Sequence, residues 1–365
     1  MQKAMEAING AQWLREKKVK DLIVEKRRLV EIPYTASLSH TLNALVANRV
    51  VAVPVAAPPG HWIGAGGSMI MQSDKNTGAV RKHYIGMVTM LDILAHIADQ
   101  LSDSINGDDF DLDKRMSVPV SSIIGHCLEG LSLWTLNPYT SVVDCMEVFS
   151  KGIHRALVPV EGHMENIPGV ELAESATSYR MLTQMDVLRF LKAHPTEAHP
   201  ILSRSVGELG AIPEYVFAVT NRTKVMDAIN CMRTASLHAV PIVESSSEDH
   251  NQLINGKGKK LMGTFSATDL RECPVSLLQS WLCIDVLEFT ETVSTKWTVN
   301  ASGELGHSPR ELVTCDPEMS LGEVIEKAVN GQVHRVWVVD KQGLLVGIVS
   351  LTDILRMIRV SMSSL

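Results

Sequence analysis

Apolar runs and the polar gaps between them recur four times along the chain. Each repeat opens on a stretch with helical spacing, at residues 38–47, 142–150, 225–232 and 321–329. A β-branched run follows, at 50–55, 154–160, 238–243 and 334–339, and reads as a buried strand. After a gap of variable length comes a second apolar strand that ends on Ser or Thr. Three residues on stands an Asp, and an apolar helical start follows. The four pairs are Thr89/Asp92, Thr183/Asp186, Ser266/Asp269 and Ser350/Asp353, with the Asp positions 94, 83 and 84 residues apart. Self-similarity at a near-regular period marks a repeat architecture. Each module is expected to run helix, strand, loop, strand, helix. Two strands and their helices cannot cover their own sheet, so each module is expected to pair with a neighbour.

The gaps set the domain boundaries. We expect an extension at 1–18 and modules at 19–101, 117–194, 203–273 and 307–361. Residues 274–306 form a linker that can supply the first strand of the fourth module. Residues 58–82, 161–178 and 244–260 read as exposed insertions, and 103–113 as an acidic linker.

Composition narrows the function classes. Hydrophobic residues make up 45% and aromatics only 5%, so the core is aliphatic. A net charge of -7 supplies no basic field for nucleic acid. The basic stretch from Lys17 to Arg28 is interleaved with Asp21 and Glu25 and reads as the solvated face of a helix. No apolar run is long enough for a membrane-spanning helix. Six cysteines form no C-x-x-C pair, which speaks against a zinc ribbon or redox motif. Met1-Gln2 excludes N-myristoylation of this form, and with no signal pattern the expectation is reduced thiols in a reducing compartment. The histidines lack metal-ligand spacing, and 64–68 is no P-loop because no Gly-Lys-Ser/Thr follows. No hydrolase, metalloprotease or kinase signature is present, so no catalytic residue and no metal ligand is assigned.

The Ser/Thr-x-x-Asp element is a variant of the helix capping box. Recurring after a buried strand, it also frames a cleft in which free N–H groups suit phosphate and a carboxylate suits the vicinal hydroxyls of a ribose. The two roles can coexist. His154-Arg155 and His334-Arg335 stand at the entrance of a strand, where arginine offers a charged planar fork to phosphate oxygens. A solvated rim position is the plainer reading of the same pairs.

Together these elements resemble the signature of CBS modules. The stretch from Val333 to Asp340, with Gly347 to Leu355, resembles the last module of gamma-type regulatory subunits of the SNF1/AMP-activated kinase family, and His154-Arg155 resembles the pair in that family's second module. The plain chain is similar to the plant gamma-like branch. The resemblance covers roughly 19–361. It implies an α/β (α+β) fold of four CBS modules paired into two Bateman domains, arranged as a pseudo-symmetric disc with nucleotide clefts. It implies AMP, ADP or ATP as regulatory ligand, with no prosthetic group. Asp353 would hold the ribose, and Ser350, Thr352, His334, Arg335, His154 and Arg155 would contact phosphate. Asp92 and Asp269, with Thr89 and Ser266, are the matching ribose candidates. Thr183, Asp186 and His238 complete the set. Three departures stand out: Val51 where an arginine is common, Ala239 after His238, and Arg180 in place of Gly. The implied partners are catalytic alpha-type and scaffold beta-type kinase subunits, with no nucleic acid and no membrane. The implied location is cytoplasmic and/or nuclear. A stand-alone adenylate-responsive CBS protein acting on another enzyme or transporter is the alternative.

Overall fold

A computed structural model describes residues 12–57, 83–103, 112–131, 133–160, 179–210, 212–244, 252–269, 275–294, 296–299, 305–308 and 312–363. The insertions expected at 58–82 and 161–178, residues 245–251 of the one expected at 244–260, most of the acidic linker and Cys273 lie outside these residues.

The helices form where the apolar spacing put them: Leu38–Ala47, Val142–Phe149, Val225–Thr234 and Leu321–Asn330. Ser37, Ser141 and Ser320 cap three of them, each hydroxyl accepting the N–H three residues on. The chain then turns through a residue of positive φ in every repeat, at Arg49, Gly152, Ser236 and Gln332. Each turn delivers the chain into a central strand: Ala52–Ala57, Arg155–Pro159, Ala239–Val243 and Arg335–Val339. Each central strand lies antiparallel to the strand that ends on Ser or Thr, and parallel to a short strand that precedes the helix. The short strand of the fourth module is Thr314–Cys315, so residues 274–306 do not supply it. That segment instead forms the helices Val275–Leu282 and Val286–Ser294 and a hairpin of Lys296–Val299 with Leu305–Ser308.

The chain divides into two compact units. One holds Met1–Leu29, Leu133–Val216 and Val313–Leu365, and therefore the second and fourth modules. The other holds Val30–Ser132 and Phe217–Leu312, the first and third. Within the first unit, helix Val142–Phe149 packs on Leu351–Ser363, and Leu321–Asn330 packs on Gln184–Ala193 and Pro195–Leu202. Gly322 permits the last approach, since a Cβ there would lie 3.3 Å from the Leu202 carbonyl. Val142, Phe149, Leu188, Ile325 and Ile354 fill that core. In the other unit Met90–Asp103 packs on Val225–Thr234, over a core of Leu45, Ile93, Ile229, Phe265 and Phe289. Burying each such side chain contributes about 1.5–3 kcal/mol. The helices thus join alternate modules, where the tandem reading of the sequence joins neighbours.

A second feature explains the interleaving. The segment leading into each module packs on a different module. The Lys17 carbonyl accepts from Val142 N–H at 2.9 Å, and Val19 N–H donates to the Thr140 carbonyl at 2.9 Å. The same two bonds tie Val118 and Val120 to Leu38 and Ala36, Arg204 and Val206 to Leu321 and Met319, and Ile284 and Val286 to Val225 and Thr223. Between them lie the bridges Lys18↔Ser141, Ser37↔Pro119, Ser205↔Ser320 and Lys224↔Asp285. These four arms precede the first, second, third and fourth modules and cap the second, first, fourth and third. The expected boundaries at 117 and 203 assign the second and third arms to the modules they lead into, and the one at 19 cuts through the first arm, whereas the structure packs each arm on another module.

Candidate functional site

The four Asp residues occupy the same local place. The N–H of Thr89, Thr183, Ser266 and Ser350 donates to Oδ2 of Asp92, Asp186, Asp269 and Asp353 at 2.7, 2.8, 2.8 and 3.1 Å. In three modules the hydroxyl donates to the same oxygen, at 2.6 Å from Thr89, 2.7 Å from Thr183 and 2.5 Å from Ser350. In the third module the Ser266 hydroxyl bonds instead to Thr268 Oγ1 at 2.9 Å and to the His238 carbonyl at 3.3 Å. Residues 270–274, where a helical start was expected after Asp269, lie outside the described residues. The cap thus uses Oδ2 throughout, and the further partners of the carboxylate distinguish the modules.

In the first module, Asp92 is fully buried. Its Oδ1 accepts the Cys127 N–H at 2.8 Å from the arm that covers this module. Gly86 and Gly130 let that arm lie flat: a Cβ on Gly130 would stand 2.7 Å from the Met87 carbonyl, and one on Gly86 would stand 2.6 Å from Ile124. Burial pushes the Asp92 carboxyl above the ordinary aspartate range, against the opposing pull of the Thr89 and Cys127 hydrogen bonds. As placed, it has no oxygen to offer a ribose.

In the second module, Lys26 Nζ lies 2.7 Å from Asp186 Oδ2, and Arg189 lies 3.4 Å from Oδ1. The Asp186 side chain is 7% exposed. Lys26 follows the short helix Val19–Ile23 and is itself only 25% exposed, so it is not part of a solvated helical face. Its role was illegible in the sequence because its partner is 160 residues away.

In the fourth module, among the described residues, Asp353 Oδ1 meets only an arginine of its own helix, Arg356, at 2.9 Å, and the Asp side chain is 27% exposed. Arg356 also donates to the Ser150 carbonyl at 3.2 Å. Thr352 Oγ1 accepts from Gln184 Nε2 at 2.8 Å, so the helix starts of the second and fourth modules touch.

Strand register places the His-Arg pairs. Arg155 stands opposite Thr183, and Arg335 opposite Ser350. The carbonyls of His154 and His334 accept from Gln184 and Leu351 at 3.1 Å each. Both pairs lie in one unit, beside Asp186 and Asp353. The residues facing Thr89 and Ser266 are Ala52 and Ala239. The vacant arginine position of the first module is therefore Ala52, one residue on from the expected Val51, which stands where the others carry histidine. His238 Nε2 lies 3.5 Å from Glu129 Oε2, a contact that protonation would make an ion pair. Arg180 occupies the strand position of Gly347 and donates to the Tyr179 carbonyl at 3.0 Å. At Gly347 itself Ile212 packs so closely that a Cβ would fall 2.3 Å from its Cγ2.

Strand-ended hydroxyls, a helix-capping Asp and paired modules define the chain as a CBS-module protein, and the CBS domain model matches residues 307–360. The "SNF1-related protein kinase regulatory subunit gamma-like PV42a" of Arabidopsis thaliana is 60% identical over 94% of this chain and 95% of its own. The corresponding PV42b protein is 54% identical over 95% and 96%. The chain belongs to this family of SNF1-related protein kinase regulatory gamma-like subunits. Its fold matches the crystal structure of a Methanocaldococcus jannaschii protein proposed as an archaeal homolog of g-AMPK, with a TM-score of 0.61 at 16% identity, covering 93% of this chain and 99% of that one.

Proposed function

We propose that the chain is a non-catalytic regulatory subunit of an SNF1-related kinase complex and holds an adenine nucleotide at its fourth module. The observation that carries the ligand is the setting of Asp353. It is the most exposed of the four carboxylates, and among the described residues its Oδ1 meets only Arg356, whose side chain is 54% exposed and which a ribose hydroxyl can displace. Arg335 stands across from Ser350, at the start of helix Leu351–Ser363, where backbone N–H groups and the helix dipole favour phosphate. AMP, ADP and ATP all present the ribose and phosphate this arrangement addresses.

The partner reading rests on the names of the relatives. Catalytic alpha-type and scaffold beta-type chains are the expected partners, in the cytoplasm, the nucleus or both. Among the described residues no helix is long and apolar enough to cross a membrane, and the described cysteines are free thiols, as a reducing compartment would keep them. Co-expression with alpha- and beta-type chains should yield a complex that survives size exclusion. A chain that elutes alone with both present would favour a stand-alone CBS protein acting on another enzyme or transporter.

A further inference from the structure

The second and fourth modules are built from the same parts. Each has a hydroxyl–Asp cap, an arginine three residues past the Asp, and a His-Arg pair with its arginine opposite the hydroxyl. Apart from Arg180 at the strand position of Gly347, one addition at the Asp separates them. The arm covering the second module carries Lys26 eight residues beyond its bridge at Lys18, and the amine closes on Asp186. In the first module the eighth residue beyond the Pro119 bridge is Cys127, whose N–H closes on Asp92. In the fourth module the arm beyond Ser205 packs Ile212 on Gly347, and among the described residues it sets neither a cation nor an N–H on Asp353.

We propose that Lys26 is a tethered cation that fills the second cleft and keeps nucleotide out, and that the fourth cleft is open because, among the described residues, its arm sets no group on Asp353. The lysine amine sits on the Asp186 carboxylate at Oδ2, so its charge and stem take up the space beside the carboxylate that a ribose would need. It is held by the arm's backbone bonds to Pro138 and Thr140, so a ligand must displace a pre-positioned group and not water. The arm is therefore a specificity element: what it sets on the Asp decides which module reads nucleotide. This inference rests on the reading of the fourth module as a nucleotide cleft.

The test is calorimetric titration of the full chain with AMP and with ATP. Lys26→Met keeps the apolar stem and removes the amine, and Lys26→Arg keeps a cation. The wild type should bind with a stoichiometry that falls by one in Asp353→Ala. Lys26→Met should gain one site per chain, retained with Asp353→Ala and lost with Asp186→Ala, while Lys26→Arg should match the wild type. Unchanged stoichiometry in Lys26→Met, with a native melting curve, overturns the inference but leaves the fourth-module reading intact. Loss of a site in Lys26→Met also overturns it, since the lysine would then be a ligand contact. No binding by the wild type but binding by Lys26→Met would sustain the inference and overturn the fourth-module reading; no binding by either overturns both.

Discussion

Replacing Asp92 by alanine should damage the fold far more than the same change at Asp353. Asp92 accepts the N–H groups of Thr89 and Cys127 at 2.7 and 2.8 Å, and none of its surface reaches solvent. Truncation strands two buried donors, each costing about 1–3 kcal/mol, so about 2–6 kcal/mol in all. At Asp353 the side chain is 27% exposed and the paired Arg356 is 54% exposed. Water can replace those contacts, and only the cap is lost, worth about 1 kcal/mol. Urea denaturation measures both losses, and hydrogen exchange across residues 83–131 assigns the first to its unit. The pH dependence adds a sign. Burial raises the folded carboxyl of Asp92 above its ordinary value of 3.8. Between those two values the folded state binds the extra proton, so stability from this group falls as pH rises. The deficit of Asp92→Ala should therefore grow as pH is lowered from 7 toward 4. Equal losses of about 1 kcal/mol at the two sites, or a deficit that shrinks on acidification, would refute the assignment of Asp92 as a closed structural carboxyl.

Other outcomes follow from the packing. Burial pushes the Cys145 and Cys315 thiols up to about 12, and Cys283 is exposed. A thiol reagent at pH 8 should modify Cys283 in the native protein and reach Cys145 and Cys315 only on unfolding; rapid native labelling of Cys145 would contradict the packing. Gly347→Ala should destabilise by about 1–3 kcal/mol because its Cβ would collide with Ile212. Gly343→Ala, with open space but a φ of 77°, tests backbone strain alone and should cost about 1 kcal/mol. Calorimetric unfolding ranks the two.

Much of the fold was legible because its elements are local. Periodicity located the helices Leu38–Ala47 and Leu321–Asn330 and the central strands to within a residue or two. The arms were not legible. Lys17–Val19 and Arg204–Val206 are too short to carry a period, and their partners are set by long-range backbone bonds. The same distance hid Lys26, whose charge pattern suits a solvated face. Register gave the one-residue shift from Val51 to Ala52, which no strand pattern can fix without its partner. The Ser/Thr-x-x-Asp motif was visible four times, yet what separates the copies, Cys127 on Asp92 and Lys26 on Asp186, comes from elsewhere in the chain.

The thermal shift of the wild type and of Asp353→Ala with saturating AMP or ATP tests the central claim most directly. At 100 times the dissociation constant, nucleotide should stabilise the wild type by about 2.7 kcal/mol. In Asp353→Ala at the same concentration most of that gain should vanish, with the ligand-free melting temperature little changed. An equal shift in the two proteins, or none in the wild type at millimolar nucleotide, would contradict the account.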